Sequence, residues 1–403
     1  MRMIEYRFRC RAAQKKRASL HTAETAILAL LALGWLIQAL RVYLGMRRVP
    51  RLTQVAPLTG TNLPRISVLF AARDEAEKLP RALASLLALD YPDYEIVAVD
   101  DRSTDATPRI LDEFALTHAH LQIVHIGELP PGWLGKPHAL EAAYHRATGD
   151  WLVFTDADVR FAPDLLRRAL ALAEWEHWDH LTLLARIEMR GFWETVAVTY
   201  FNFSFIFGFQ PWRVANPRSG AYMGVGAFQL LRRSVYDAIG THRRLAMEVV
   251  DDMKLGKLVK EGGYRSGVAS SEDMVQVRWQ EGFFNIVRGV TKNMFAAMGF
   301  SIARTFASIF LLFLISILPF LALGFTHGPA RVAAGVSAFI AVVIHGQLTR
   351  ETGASPLYGL AHPLGALIFA YMIVRSTVLT LWRGGIIWRD TFYPLEELRK
   401  GSV

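Results

Sequence analysis

The sequence has almost no cysteine: of 403 residues, Cys10 is the only one. A single thiol excludes an intrachain disulfide framework and a thiolate zinc cluster, and it fits a reducing compartment. Internal repeats and low-complexity tracts are missing too, which sets aside repeat architectures. Charge is sparse: 20% of residues are charged and 52% hydrophobic, slightly more apolar than an average soluble protein. The 45 Lys and Arg exceed the 36 Asp and Glu, for a net charge of +9. These cations are scattered beside apolar runs and form no nucleic-acid motif, so nucleic acid is not expected as a partner. Anionic lipid headgroups or a nucleotide diphosphate remain as partners for a basic surface.

The apolar excess sits near the N-terminus and in the last hundred or so residues, as in a soluble body tied to a bilayer. Residues 1–22 are a basic segment with Arg2, Arg7, Arg9, Arg11, Lys15, Lys16 and Arg17. Residues 23–45 read as a transmembrane anchor, because the run from Thr25 to Leu44 is long enough to span a bilayer. A cleaved signal peptide is disfavoured: no small-residue cleavage site follows, and Arg47, Arg48 and Arg51 come at once. Residues 46–64 carry Pro50, Pro57, Gly60 and Pro64 and read as a linker.

From residue 65 to 282 the pattern alternates strand and helix signals. Arg65–Ala71, Tyr94–Val99, Leu121–Ile126 and Trp151–Thr155 are short β-branched or apolar runs. Glu75–Leu89 has helical spacing, and Thr107-Pro108 is a helix start. The expected fold class is α/β, a mostly parallel sheet with helices on both faces, plus transmembrane helices. Residues 283–302 are expected as an interfacial amphipathic helix with Arg288 and Lys292 facing out. Residues 303–382 hold two to three spans, with Ala303–Phe325, Ala333–Ile344 and Leu357–Leu381 as candidates, and 383–403 form a polar tail.

Ligands of parallel sheets bind beyond the carboxyl ends of the strands, and the polar clusters fall at those ends. Ala71-Ala72-Arg73-Asp74-Glu75 follows the first strand and Asp100–Asp105 the second. Their carboxylates can accept hydrogen bonds from a uracil N–H or from ribose hydroxyls, although Ser103 and Asp105 also suit a plain turn cap. Pro130–Lys136 offers two glycines for close backbone approach and a lysine for a phosphate, or an ordinary turn with an exposed lysine.

The most specific cluster is Phe154-Thr155-Asp156-Ala157-Asp158. Asp158, with Asp156, can hold Mg2+ or Mn2+ beside a diphosphate. Asp251 and Asp252 open a helix, where acids are favourable by capping alone. The functional reading makes Asp252 a general base. In Gln276-Val277-Arg278-Trp279, Arg278 can meet a diphosphate and Trp279 can stack on a sugar or acceptor, or both can anchor at the interface.

Taken in order, ARDEAEKLPRAL, VDDRSTD, PGWLGK, FTDAD, GVGAFQLLRRSVYDAIG, VDD and VRW resemble family 2 glycosyltransferases with the type A (GT-A) fold. PGW-x-GK and the tail RGGIIWRDTFYPLEELR resemble a membrane-bound bacterial branch with hopanoid-associated, carotenoid and ceramide glucosyltransferase-like members. The likeness runs from about Arg65 to the tail. It implies inverting transfer from a nucleotide sugar, with UDP-sugar the expected donor, to a lipid-like hydroxyl. By position it implies that Ala71, Arg73, Glu75, Asp101, Lys136 and Asp156 bind the donor. It further implies that Asp158 holds the metal, that Asp252 is the base, and that Asp251, Arg278 and Trp279 serve the diphosphate or acceptor.

The sequence departs from the family in its Asp-Asp acid pair and in Gln276, two residues before Arg278 where the family's motif has three. That shortened motif argues against a processive polysaccharide synthase. A polyprenyl-phosphate acceptor and a non-catalytic nucleotide-sugar-binding protein are the other readings. His138 is read as pocket lining. The resemblance implies a multi-pass protein of a bacterial-type inner membrane, with the body facing the cytosol, where nucleotide sugars are. One anchor before the body and three spans after it place both basic ends outside, against the positive-inside tendency.

Overall fold

The structure is a computed structural model that describes residues 2–402, with side chains described from residue 21. Cys10 and the basic side chains before residue 18 lie outside the described residues. Strand β1 (Ile66–Ala72) is buried along nearly its whole length, as a central parallel strand must be. It is flanked by β2 (Tyr94–Asp101) and β4 (Trp151–Asp156), and β3 (Leu121–Ile126) lies outside β2. On the other side follow β8 (Gln229–Arg232), β6 (His180–Leu184) and β9 (Ser266–Ser270). In this seven-stranded sheet only β8 runs against the rest. A small second sheet joins β5 (Val159–Phe161), β10 (Val275–Val277) and β7 (Arg186–Ile187).

Side chains alternate between the two faces with period two. Val68, Phe70, Ile96, Ala98, Trp151 and Val153 enter one core, with Leu83 of α2 (Leu79–Leu87), Leu111 of α3 (Thr107–Ala115) and Leu166 of α5 (Leu165–Trp175). Leu69, Val97, Val99, Leu152 and Phe154 enter the other. There they meet Leu140 of α4 (Gly135–Tyr144), Tyr236 of α7 (Arg233–Ala238) and Leu255 of α8 (Asp251–Glu261). The mostly parallel sheet with helices on both faces is thus as expected from the alternation of signals.

Outside this body, α1 (Arg2–Met46) precedes the sheet and α6 (Phe192–Phe209) leaves it after β7. After β10 come α9 (Phe283–Ala297), α10 (Ile302–Leu312) and α11 (Leu318–Phe325), then α12 (Gly328–Glu351) and α13 (His362–Arg383). Four helices among the described residues are long and apolar enough to cross a membrane: His21–Met46, Ile302–Phe325, Gly328–Glu351 and Pro356–Arg383. The middle C-terminal helix is longer than the Ala333–Ile344 run, because His345 and Thr349, beyond that run, are buried inside the helix bundle and not in a loop.

Two expectations need correction. Lys292 does not face out: α9 turns it into a cleft at the sheet's carboxyl edge, while Arg288 is exposed. Nor is the chain after residue 383 a free tail. It forms a hairpin, β11 (Gly385–Trp388) and β12 (Thr391–Pro394), followed by α14 (Leu395–Lys400). Ile386, Tyr393, Leu395 and Leu398 pack with Phe295 and Phe300 on Leu134, Met247 and Val249, so apolar burial holds the segment to the body.

Candidate active site

In the parallel register Ala71 pairs with Asp156 on one side and Val99 on the other, and Ala72 pairs with Asp100. Strands about 4.8 Å apart therefore set the ends of β1, β2 and β4 side by side. A cleft of about 250 Å³ opens there. Ala71, Arg73, Glu75, Asp101, Lys136, Asp156, Asp158, Asp251, Asp252 and Trp279 all line it.

The loops after β1 and β2 are stitched to each other. Asp74 and Arg102 both take left-handed backbone conformations, with φ of 53° and 59°. Asp74 Oδ1 accepts from the Thr104 N–H at 2.7 Å, and Ser103 Oγ accepts from the Asp74 N–H at 3.1 Å. Asp105 accepts from the N–H groups of Ala76 and Thr107 at 3.0 and 2.8 Å. Ser103 and Asp105 are thus turn and cap residues, the plainer of the two readings. Asp101 is buried and held by Arg102, at 2.7 and 3.1 Å. A Cβ on Gly135 would come 2.3 Å from Asp101 Oδ2, so only glycine lets α4 start there.

Asp156 and Asp252 meet across one residue. The Gly226 N–H donates to Asp252 Oδ2 at 3.0 Å, and a Cβ on Gly226 would lie 2.6 Å from Asp156 Oδ2. The Met253 N–H donates to Asp252 Oδ1 at 2.8 Å. These bonds fix the carboxylate and leave each oxygen a second lone pair. The neighbouring Gly224 is equally constrained, since a Cβ there would strike the Asp252 carbonyl oxygen at 1.8 Å.

Charge in the cleft is dense. Lys136 Nζ lies 2.6 Å from Asp156 Oδ1 and 4.0 Å from Asp251 Oδ2. Burial opposes its charge, but Asp156, Asp251 and Asp252 outweigh that and raise its pKa. Burial, then the Asp156 charge, pushes Asp158 up to about 6, although Lys78 lies 3.3 Å away. Burial raises Asp251 as well, with Asp252 and Asp156 adding to it against Lys136.

Two expected residues are elsewhere, as is Gln276 of the Arg278 motif. Arg278 does not line the cleft: Glu194 of α6 binds its guanidinium, at 3.1 Å from Nη2, and Nη1 donates to the Glu188 carbonyl at 2.9 Å. Its backbone carbonyl instead accepts from Lys78 at 2.9 Å. Gln276 accepts from Arg160 at 3.1 Å, on the small sheet. His138 packs edge-on against Trp133 and lines no part of the cleft.

The residues that sequence reasoning missed come from the chain after the body. Lys292 Nζ sits 3.9 Å from the Trp388 ring centroid and 2.7 Å from Asn293 Oδ1. Withdrawal from water, then the Lys136 charge, lowers its pKa. Arg389, at the hairpin tip, pairs with Glu75, and Tyr393 closes the same wall. The one signal for them is the tail motif that resembles a family branch.

Among the described residues no three His, Cys, Asp or Glu side chains form a complete metal site. Asp156 and Asp158 are hard oxygen donors, and burial followed by the Asp156 charge disfavours an unpaired anion at Asp158, so the pair suits a divalent cation whose remaining ligands are phosphate oxygens.

The fold matches a mannosyltransferase from Pyrobaculum calidifontis, solved in complex with GDP-Man and Mn2+, with a TM-score of 0.53 and 21% identity. The match covers 89% of this chain and 99% of that one, and it defines the architecture as GT-A-like. Residues 67–240 match the model of Glycosyl transferase family 2. That segment of the chain is thus similar to family 2 glycosyl transferases, and the chain is also similar to proteins named as lipid glycosyltransferases. It is 28% identical over 282 residues to the beta-monoglucosyldiacylglycerol synthase of Synechocystis sp., over 62% of this chain and 56% of that protein. With the synthase of the same name from Nostoc sp. it shares 30% over 183 residues, which cover 44% and 38%. The chain spans about half or less of the length of these two relatives. With the 4,4'-diaponeurosporenoate glycosyltransferase of Staphylococcus aureus it shares 22% over 344 residues, 83% and 90% of the two chains.

Removing Glu194 leaves the mostly buried Arg278 charge with only the Glu188 carbonyl, so Glu194→Ala is expected to cost about 3 kcal/mol of stability. In a double-mutant cycle read by thermal unfolding, Glu194→Ala and Arg278→Ala should be strongly non-additive. Additive losses, with weaker donor binding in Arg278→Ala alone, would return Arg278 to the diphosphate.

Proposed function

We propose that the protein is a membrane-anchored, metal-dependent glycosyltransferase. It moves a sugar with inversion from a nucleotide sugar, expected to be a UDP-sugar, to a hydroxyl of a lipid-like acceptor. The observation that carries this reading is the meeting of Asp156 and Asp252 across Gly226, in the same cleft as the strand-end residues Ala71, Arg73, Glu75 and Asp101. The lipid acceptor is supported by the names of the relatives, a glucosyldiacylglycerol synthase and a diaponeurosporenoate glycosyltransferase. Four helices long and apolar enough to cross a membrane agree with such an acceptor.

In this reading the strand ends hold the nucleoside. Asp156 and Asp158 hold Mg2+ or Mn2+, which when bound offsets the charge of the diphosphate. Asp252, fixed by the Gly226 and Met253 N–H groups, takes the proton of the acceptor hydroxyl as that oxygen attacks the anomeric carbon. Lys136 keeps Asp156 and Asp251 from repelling each other. Trp279 packs on Phe201 at 4.9 Å and offers its free edge to sugar or acceptor. Lys292 takes the diphosphate role expected of Arg278. Its nearest partners in the cleft are the neutral Asn293 amide and the Trp388 face, while the Asp251, Asp252 and Asp156 charges act on it without an ion-pair contact, so an arriving phosphate meets an accessible cation.

Asp252→Asn should lower turnover by about 10²–10⁴-fold with donor affinity retained, measured with a panel of nucleotide sugars and lipid extract followed by mass spectrometry. Near-wild-type turnover would remove the base assignment, and survival of transfer with a polyprenyl phosphate alone would favour that acceptor. Asp158→Ala should abolish the gain in UDP affinity that Mn2+ gives in calorimetry; an unchanged gain would dismiss the metal site. Lys292→Met should narrow the difference between UDP and UMP affinity by about tenfold, roughly 1.4 kcal/mol, and leave UMP affinity as it was. A difference of full size would show that Lys292 does not meet the second phosphate.

A further inference from the structure

Three helices after the body are apolar enough to span, yet the hairpin that follows them returns to the body. Arg389 pairs with Glu75 and Trp388 covers Lys292. An odd number of crossings cannot bring the chain back to the side it left.

Contacts along α12 locate the helix that breaks the parity. Its C-terminal end is at the body: Glu351 lies 3.1 Å from Arg51, which bridges to Ser270 of β9. Its N-terminal end is remote, where Ala330 and Ala334 pack with Ala322 of α11 and Leu28 of α1. No residue of α13 belongs to that remote cluster.

The turn before α13, Pro356–Ala361, folds back on α12 near Val342 and Gly346. A Cβ on Gly359 would meet the Val342 carbonyl at 2.4 Å, and one on Gly346 would meet the Pro356 carbonyl at 2.6 Å. At 1.5 Å per residue, that is only about 10 Å from the body end of α12, whereas the hydrocarbon core is about 30 Å thick. Tyr358 also touches Phe192, the first residue of α6, at 5.8 Å.

α13 begins against the crossing helices, where His362 packs on Trp35 of α1 and Phe320 of α11, and Ile309 of α10 lies against its middle; along the same length it runs on α6 and α9, which are bound to the body. Gly365 approaches Tyr200 of α6 so closely that a Cβ would lie 2.6 Å from the Tyr200 Cβ. Ile368, Met372 and Ile373 pack with Val196 and Val198 of α6 and with Val290 and Met294 of α9. Ser376 Oγ accepts from the Phe295 N–H of α9 at 3.0 Å. The opposite face is an exposed apolar stripe: Leu367, Tyr371, Val374, Val378 and Leu381, each 39–56% exposed, with Trp382 at its end.

We propose that α13 lies in the body-side interface of the bilayer, its apolar stripe toward the lipid, and that the chain crosses with α1, the α10–α11 unit and α12 alone. This inference rests on the membrane-anchored reading above. Two crossings after the body then return the hairpin to the cleft, and the basic residues Arg383, Arg389, Arg399 and Lys400 lie on the body's side.

A Cys10→Ser background leaves the full chain free of thiols, so single cysteines report sidedness to a membrane-impermeant maleimide in intact and permeabilised cells. His327→Cys should label on one side, and Ala354→Cys and Ser402→Cys together on the other. Labelling of Ala354→Cys and Ser402→Cys on opposite sides would overturn the proposal. If the pair labels together but from outside, α13 is still interfacial and only the cytosolic placement of the body fails. As a second measurement, a fluorophore on Tyr371→Cys in vesicles should be quenched more by nitroxide lipids labelled near the headgroup than near the chain end. The reverse order would make α13 a crossing helix.

Discussion

Six carboxylates, those of Glu75, Asp101, Asp156, Asp158, Asp251 and Asp252, converge on one small cleft, and their mutual repulsion is the constraint that the surrounding structure answers. Each answer comes from a different part of the chain. Arg102 neutralises Asp101 from the next position, Lys136 reaches Asp156 from α4, Lys78 reaches Asp158 from the turn before α2, and Arg389 reaches Glu75 from the far C-terminal hairpin. What stays incompletely balanced is the pair nearest the end of β4, where burial and repulsion push Asp158 up. A site with this deficit favours a cation and a ligand that brings its own oxygen atoms.

Convergence also demands that backbones approach closely. Gly135 admits the start of α4 beside Asp101, and Gly224 and Gly226 thread a single segment between Asp156 and Asp252. The sheet supplies the coarse placement through strand register; these glycines supply the last few ångströms. The short Gly-Val-Gly run before β8 is therefore as much a part of the cleft as the acids it separates.

The legible part of the sequence was local. Strands ending in polar residues show as apolar runs followed by Asp156 or Asp101, because burial on both faces leaves no other pattern, and the GT-A-like sheet follows from their alternation. The cluster of acids was legible for the same reason. Arg278 was misplaced because its partner, Glu194, is 84 residues away and looks like a surface residue of an apolar helix. Lys292 was assigned to the wrong face because the period of α9 identifies an apolar side but not that the polar side borders a cleft. The tail's polar and aromatic composition concealed a hairpin whose burial depends on Phe295 and Phe300, residues far from it in the sequence.

The hairpin bears on how the protein is made. Its tip holds Arg389 and Asp390 with φ of 48° and 61°, a tight turn set directly over Glu75. A ribosome that has released the whole sheet, and every acid in the cleft, has yet to synthesise this roof. Completion waits until the bundle helices have been made and the final residues fold back on the body. In the membrane-anchored reading proposed above, insertion of the bundle therefore precedes the readiness of the cleft.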